Sequence, residues 1–350
     1  MMTNQTMKRV LITAPKEVEI EEIPLGSPAS DEVVVRVHSS ALCTFEQRAY
    51  IGMDPRFYPL LGGHELSGVV EAVGDAVNDI NIGDKVAVSA LDRCGYCYSC
   101  RRGLGCENVW FKKSTGDQPK GPMGPAGLAT HKVAKDYQIY KLHPDTDLLH
   151  AALTEPLACV LRSIKKAQIQ PGDTLVILGG GVMGILHTIL ARGHGANVIV
   201  SEPDARRREE ALKFGANHAL DPLAGDFVEN IKALSGGRGA DVIIVAMSVI
   251  KAMQEAIGAL AKSGRLLVYA RMFPKGETVA IDPNLLHDNE IVLTGTISQS
   301  IEDFQQSAEM ISSGAIDLGP VISATYPIDQ VKEAFEAAID LSTYRIVVNP

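Results

Sequence analysis

The sequence lacks any excess of positive charge. Its 350 residues carry 33 Lys and Arg against 42 Asp and Glu, a formal net charge of −9. That balance argues against the basic surface that a nucleic-acid partner or an anionic membrane selects. Long apolar runs are missing too. The longest weakly charged stretch, Thr174 to Ala191, is broken by Gly179, Gly180, Gly181, Gly184 and His187. A buried strand, a tight turn and a helix explain it better than a membrane span. The opening segment MMTNQTMKRVLI has no apolar core and no small-residue cleavage site, so no signal peptide is expected. The expected compartment is the cytoplasm. Cysteine is sparse, at 6 residues. A chain of this length does not need disulfides to hold its core, and cytoplasmic thiols stay reduced.

What is present falls into three stretches, enough for two domains. From residue 8 to about 150 the pattern is β-rich: Glu32 to Leu42, Leu66 to Gly74 and Gly83 to Ser89 read as short strands bounded by turn residues. Gly116 to Gly127 is rich in Gly and Pro and reads as a loop. After Pro171 short apolar strands alternate with helices, which implies βαβ units and a parallel sheet. In that alternation Ile250 to Gly264 reads as a helix and Arg265 to Ala270 as a strand. From about Thr296, two amphipathic helices precede a terminal strand that begins at Tyr344.

Gly179-x-Gly181-x-x-Gly184 follows an apolar strand and opens a helix, the context a dinucleotide-binding turn requires. The glycines let the backbone approach a pyrophosphate, and Val182 and Met183 complete the turn. The helix start supplies free N–H groups and positive dipole. Glu202 ends the next strand, 18 residues after Gly184. A carboxylate there bonds ribose hydroxyls and repels a 2′-phosphate, which favours NAD. An arginine nearby can instead accept a 2′-phosphate, as NADP requires, but Arg206, Arg207 and Arg208 read mainly as a solvated helix face, with Arg207 the candidate for a cofactor contact.

Four of the six cysteines are packed into one segment: Cys94, Cys97, Cys100 and Cys106. Short spacings let thiolates converge on a tetrahedral zinc, and four protein ligands leave no open position, so this cluster reads as structural. Cys43, His64 and a carboxylate, Glu65 or Glu155, form a second possible set with one position open for Lewis-acid chemistry. Taken singly, each has an ordinary alternative: a small buried hydrophobe, a satisfied core histidine, a helix-start acid.

Together, Cys43, the GGHE of Gly62 to Glu65, the cysteine lobe, the EPLACV of Glu155 to Val160 and the glycine turn resemble the zinc-dependent medium-chain dehydrogenases, in the sorbitol dehydrogenase and threonine 3-dehydrogenase branch. The resemblance spans essentially the whole chain. It implies an α/β protein with a GroES-like β-rich catalytic domain, residues 1–154 and 296–350, carrying the zinc lobe at about 92–108. A Rossmann domain, residues 155–295, is inserted between them. It also implies two zincs per chain, one held by Cys43, His64 and Glu65 or Glu155, the other by the four lobe cysteines. NAD is the expected hydride carrier, a polyol or sugar-derived secondary alcohol the expected substrate, and a homodimer or homotetramer the expected assembly. An amino-alcohol substrate such as threonine, or a nucleotide-binding scaffold without activity, are the alternatives.

The chain departs from that family in three places. Cys43-Thr44-Phe45-Glu46 stands where relatives read Cys-Gly-x-Asp. Phe45 occupies the position of the usual Ser or Thr and cannot relay a proton, which leaves Thr44, Tyr50, Glu155 or water. Glu46 replaces the Asp that relatives pair with an arginine near the C-terminus, so a Glu46–Arg345 pair supporting the site is expected. Five residues rather than seven separate Cys100 from Cys106. Arg48, Arg56 and Arg93 are candidates for an anionic substrate's site or for the surface.

Overall fold

The computed structural model describes residues 5–53, 58–106 and 122–350. Arg56 and the first part of the Gly116 to Gly127 segment lie outside the described residues. Two compact units result: one comprises Met1–Ala158 with Gln299–Pro350, the other Cys159–Ser298. Among the described residues, no helix is long and apolar enough to cross a membrane.

The first unit is built on a seven-stranded sheet. Its path runs Ile322–Pro327, Arg345–Asn349, Glu32–Ala41, Glu65–Val73, Lys85–Ser89 and Ile139–Lys141, with His131–Lys135 paired to Glu32–Ala41 off that path. Valines at every second position of the Glu32–Ala41 strand explain its place at the centre. Val33, Val35 and Val37 share one face and pack on Leu66, Val70, Val86 and Val88. A second core packs the short helix Thr44–Tyr50 against the helix Val331–Ile339, with Tyr50 stacked on Phe335 at 4.7 Å between ring centres.

Register decides what this sheet can carry. Ala41 pairs antiparallel with Val347 on one side and with Glu65 on the other. Continuing outward, the Leu42 amide donates to the Ile346 carbonyl. Cys43, Glu65 and Arg345 are therefore brought to the same end of three adjacent strands. The GGHE segment is fixed from behind by Pro122 to Leu128: the amides of Gly127 and Leu128 both donate to the Gly62 carbonyl.

The second unit is a six-stranded, all-parallel sheet in the order His218–Leu220, Asn197–Ser201, Thr174–Leu178, Ala240–Val245, Leu260–Val268, Val292–Gly295. Numbered within the unit this is 3-2-1-4-5-6, the doubly wound dinucleotide-binding order. Every residue of Thr174–Leu178 is buried, as expected of a central parallel strand covered on both faces. One expected element is corrected. The helix expected over Ile250 to Gly264 stops at Ile257, and a strand begins already at Leu260. Sheet pairing overrides the helical pattern here: the Ala240 amide takes the Ala259 carbonyl, and Leu260 pairs with Ala240. A tight turn with Ser263 at φ +60° and Gly264 packed on the Ala261 carbonyl then resets the register so that Arg265 faces Val242.

The close approach of helix and strand at the glycine turn gives a test. A Cβ on Gly184 would lie 1.9 Å from the Gly179 carbonyl oxygen. Gly184→Ala is expected to destabilise this unit by about 2 kcal/mol or more, read as a lower urea midpoint.

Candidate functional site

Cys43, His64 and Glu65 present one ligand atom each, and these atoms lie within 4.8 Å of one another. Each is placed by backbone rather than by chance packing. Cys43 is the N-cap of the helix Thr44–Tyr50, in extended conformation, immediately after the central strand. Glu65 is the first residue of its strand and is paired on both sides, to Ala41 and to Ser89. His64 directly precedes it. The His64 ring has Nδ1 2.8 Å from Glu46 Oε1, so Nδ1–H donates to the carboxylate and Nε2 is left for a metal. Glu46 Oε1 also accepts the Gly63 amide at 2.9 Å.

The electrostatics of this cluster favour a cation. Desolvation pushes the Glu65 carboxyl up to about 7, with the nearby Glu155 and Glu46 charges adding to the shift and Arg345 and His64 opposing it. The Cys43 thiol is pushed up by desolvation and then by Glu65. Burial presses His64 toward its neutral form, but Glu46 and Cys43 outweigh it and raise its pKa well above the ordinary value. Glu65 Oε2 is buried and accepts no hydrogen bond. A thiol, an imidazole and an orphaned buried carboxylate oxygen in mutual reach form the donor set of a zinc site with its fourth position open. The residues therefore fit the metal.

Distances locate two of the expected neighbours. The carboxylate that meets Arg345 belongs to Glu65, with Nη2 at 3.2 Å from Oε1; Glu46 instead serves His64 and Gly63. The reason is register: Arg345 and Glu65 start strands that flank Ala41, while the Glu46 side chain leaves the helix toward the GGHE turn. Arg345 Nη1 also donates to the Leu42 carbonyl at 2.9 Å. Glu155, in the first turn of the helix Thr154–Ala167, is not among the three converging ligand atoms. Its charge is felt by both Glu65 and Arg345. Tyr50 cannot act as a relay, because its hydroxyl donates to Glu336 Oε1 at 2.6 Å on the buried side of its helix.

Sequence reasoning placed Phe45 at this wall of the site and missed the role of Gly63. The Phe45 ring meets the His64 imidazole edge-on, 5.8 Å between centres, and so shields it. Gly63, at φ +89°, is irreplaceable: a Cβ there would lie 2.0 Å from the Leu128 amide nitrogen. The doubled glycine before His64 was the available signal for this second feature.

In the cysteine lobe all four sulfurs, Cys106 included, lie within 4.8 Å of one another. Cys94 and Cys100 are 4.0 Å apart, too far for a disulfide. Zinc–sulfur bonds of about 2.3 Å at tetrahedral angles put sulfurs about 3.8 Å apart. The Cys97 and Cys100 amides donate to Cys94 Sγ and Cys97 Sγ, each at 3.4 Å, which suits thiolates. Desolvation, and then Cys97 and Cys106, push the Cys100 thiol up to about 11. A bound cation removes that cost.

In the other unit, Gly179 at φ +106° turns the chain after Leu178, and Gly181 caps the helix Val182–Gly193. Met183 is in its first turn. Glu202 is buried at the end of its strand. Its Oε2 accepts the Gly180 amide at 2.7 Å and its Oε1 the Asp204 amide at 3.0 Å. Arg207 reaches toward the same turn, with Nη1 4.0 Å from where a Cβ on Gly181 would be. Arg208 is committed to the Glu202 and Pro203 carbonyls.

Two measurements check these centres. Metal analysis is expected to give two zincs per chain, one lost in Cys43→Ser and the other in Cys100→Ser; a single zinc untouched by Cys43→Ser would refute the first centre. Arg345→Met strands the Glu65 carboxylate and is expected to cost about 3–5 kcal/mol in chemical unfolding.

The profile described as alcohol dehydrogenase GroES-like domain matches residues 29–144, and that described as zinc-binding dehydrogenase matches residues 182–313. The chain is 33% identical over 313 residues to a 2-dehydro-3-deoxy-L-galactonate 5-dehydrogenase of Pseudoalteromonas atlantica, covering 88% of each chain. It is 27% identical to a sorbitol dehydrogenase of Bacillus subtilis, over 99% of this chain and 98% of the other. A protein of Sinorhizobium meliloti 1021 grouped with the zinc-binding dehydrogenases, solved with NADP bound, superposes with a TM-score of 0.89 at 28% identity, over 99% of this chain and 100% of that one. With a GroES-like sheet carrying one donor set, a doubly wound sheet carrying the glycine turn, and relatives matched along nearly their full length, this chain belongs to the zinc-dependent medium-chain dehydrogenases.

Proposed function

We infer that the chain oxidises a secondary alcohol of a polyol or sugar-derived substrate, or reduces the corresponding ketone, using zinc and NAD. The observation that carries this reading is the convergence of Cys43, His64 and Glu65 into a three-donor set with one position open. When bound, zinc supplies Lewis-acid polarisation of the reacting oxygen and the dinucleotide supplies the hydride acceptor. The lobe of Cys94, Cys97, Cys100 and Cys106 would hold the second, structural zinc.

The chain's own residues do the rest. Glu46 fixes the tautomer and direction of His64. Arg345 holds Glu65 in place as a strand-end ligand. Phe45 keeps water off one side of His64 and makes that wall apolar. The oxidised carbon loses a hydride and its hydroxyl a proton, so a carbonyl forms. That proton leaves by way of Thr44, Glu155 or water, since Phe45 carries none and Tyr50 is engaged by Glu336.

The start of the helix at Val182, just after the Gly179 to Gly181 turn, would offer backbone N–H groups to the pyrophosphate, with Arg207 beside Gly181. Glu202, at the end of its strand beside Gly180, would bond the ribose hydroxyls and repel a 2′-phosphate, which supports NAD in this chain although the Sinorhizobium relative holds NADP. A cytoplasmic location suits six cysteines none of which is in a disulfide. Association as a homodimer or homotetramer belongs to the same reading.

The test is an alcohol panel of polyols, sugar acids and threonine with NAD and NADP, read at the NADH absorbance. NAD-dependent turnover of a polyol or sugar acid, abolished in Cys43→Ser, is the expected result; turnover of threonine alone would overturn the substrate class. Glu202→Ala is expected to lower the NAD over NADP ratio of kcat/KM by about tenfold, the loss of one charged hydrogen-bond acceptor.

A further inference from the structure

Gly62, Gly63 and His64 belong to no strand or helix, although His64 is one of the three converging donors. Glu46 holds this turn from one side, through the His64 ring and the Gly63 amide. From behind it is held by backbone alone. The Met123 carbonyl accepts the Leu61 amide at 2.9 Å, and the Leu61 carbonyl accepts the Ala126 amide at 3.3 Å. The Gly62 carbonyl accepts the amides of Gly127 and Leu128 at 3.0 and 3.1 Å. The direction in which the chain presents His64 therefore depends on the conformation of residues 122–128.

That segment is strained at one point. Ala126 has φ +57°, in the left-handed region where a Cβ crowds the backbone. The peptide plane leading into it, Pro125–Ala126, is bonded on both sides. Its N–H goes to the Leu61 carbonyl, and its C=O accepts Lys132 Nζ at 2.7 Å. The plane cannot rotate away from the strained conformation without losing both bonds.

The sheet places Lys132 for this contact. It lies in the strand His131–Lys135, paired with Val35 of the central strand, and it shares a face with Ala134, which packs in the valine core. An apolar side chain at this position would be buried without a desolvation cost. The lysine instead brings a half-buried ammonium to the Pro125 carbonyl. Desolvation pushes its pKa down, with the Asp92 charge opposing. Among the described residues, the Pro125 carbonyl is the one hydrogen-bond acceptor its side chain meets. A charged donor makes that bond stronger than a neutral one would.

We propose that Lys132 is a positioning residue for the reacting centre: it fixes the Pro125–Ala126 peptide, and through the backbone bonds to Leu61 and Gly62 it sets where His64 presents Nε2. The proposal rests on the dehydrogenase reading above. A misdirected imidazole weakens the hold on a metal and misplaces the reacting oxygen, so both metal affinity and turnover depend on the lysine.

The experiment compares zinc-loaded wild type, Lys132→Met and Lys132→Arg. Zinc release to a chelator is followed for both centres, with Cys43→Ser and Cys100→Ser assigning the two phases. Lys132→Met is expected to weaken the zinc at Cys43 about tenfold, as loss of a supporting partner does, and to leave the zinc of the four-cysteine lobe unchanged. On an alcohol that the wild type oxidises with NAD, kcat should fall about tenfold with KM changed far less. Lys132→Arg, which keeps a charged donor, should recover most of both. Lys132→Gln, too short to reach the carbonyl, repeats the comparison with a polar side chain should the methionine variant not fold. A methionine variant that holds both zincs and turns over like the wild type would overturn the proposal. So would loss of both zincs in parallel with a lower urea midpoint and no recovery in Lys132→Arg, the pattern of a general packing role. If the Cys43 zinc weakens as expected but no alcohol yields NADH even in the wild type, the dehydrogenase reading falls and the positioning of His64 stands.

Discussion

A buried guanidinium tolerates no error in its surroundings. Arg345 sits at the start of the last strand with 2% of its surface exposed, and the Glu65 carboxylate stands 3.2 Å away. Neither charge is stable alone in that environment, since stranding one partner of a buried pair costs several kcal/mol. The pair closes only if the C-terminal strand docks beside Glu32–Ala41 in the observed register and Glu65 starts its strand on the other side. Packing of the C-terminal segment is thereby tied to the position of a candidate metal ligand. Two segments some 280 residues apart in sequence (65 and 345) are joined at one charge contact.

The same economy of placement recurs around it. Glu46 orients His64 and at the same time accepts the Gly63 amide, so one carboxylate fixes a side chain and a turn. Gly63 has to be glycine because the Leu128 backbone passes where its Cβ would be. The short helix from Thr44 divides its roles by face. Its buried side gives Glu46 to the histidine and Tyr50 to Glu336, and Phe45, packed beside that core, meets the His64 ring edge-on.

In the second unit the corresponding constraint is steric. Gly184 permits helix and strand to approach within a distance no Cβ allows, and Gly180 brings its amide onto Glu202. The Glu202 carboxylate accepts an amide at each oxygen, from Gly180 and from Asp204, which holds it in one orientation. The metal lobe is steric in the opposite sense. Its glycines at 95 and 103 have φ of +76° and +68°, letting a short loop return Cys106 to the other three sulfurs.

The sequence alone determined whatever is encoded in local pattern. Alternating valines specified the Glu32–Ala41 strand, continuous apolar runs the parallel strands, and dense cysteine spacing a metal lobe rather than disulfides. The glycine turn and the acid after the next strand were legible because their function depends on residues close together in sequence. The helix expected through Gly264 failed because strand pairing with Ala240 outweighs the local helical pattern. Tertiary structure alone decided which glutamate joins Cys43 and His64, and which carboxylate meets Arg345. Spacing along the chain left Glu65 and Glu155 open as the third donor, and the expected partner of Arg345, Glu46, came from the family resemblance. Charges buried without water interact by distance, and strand register sets that distance.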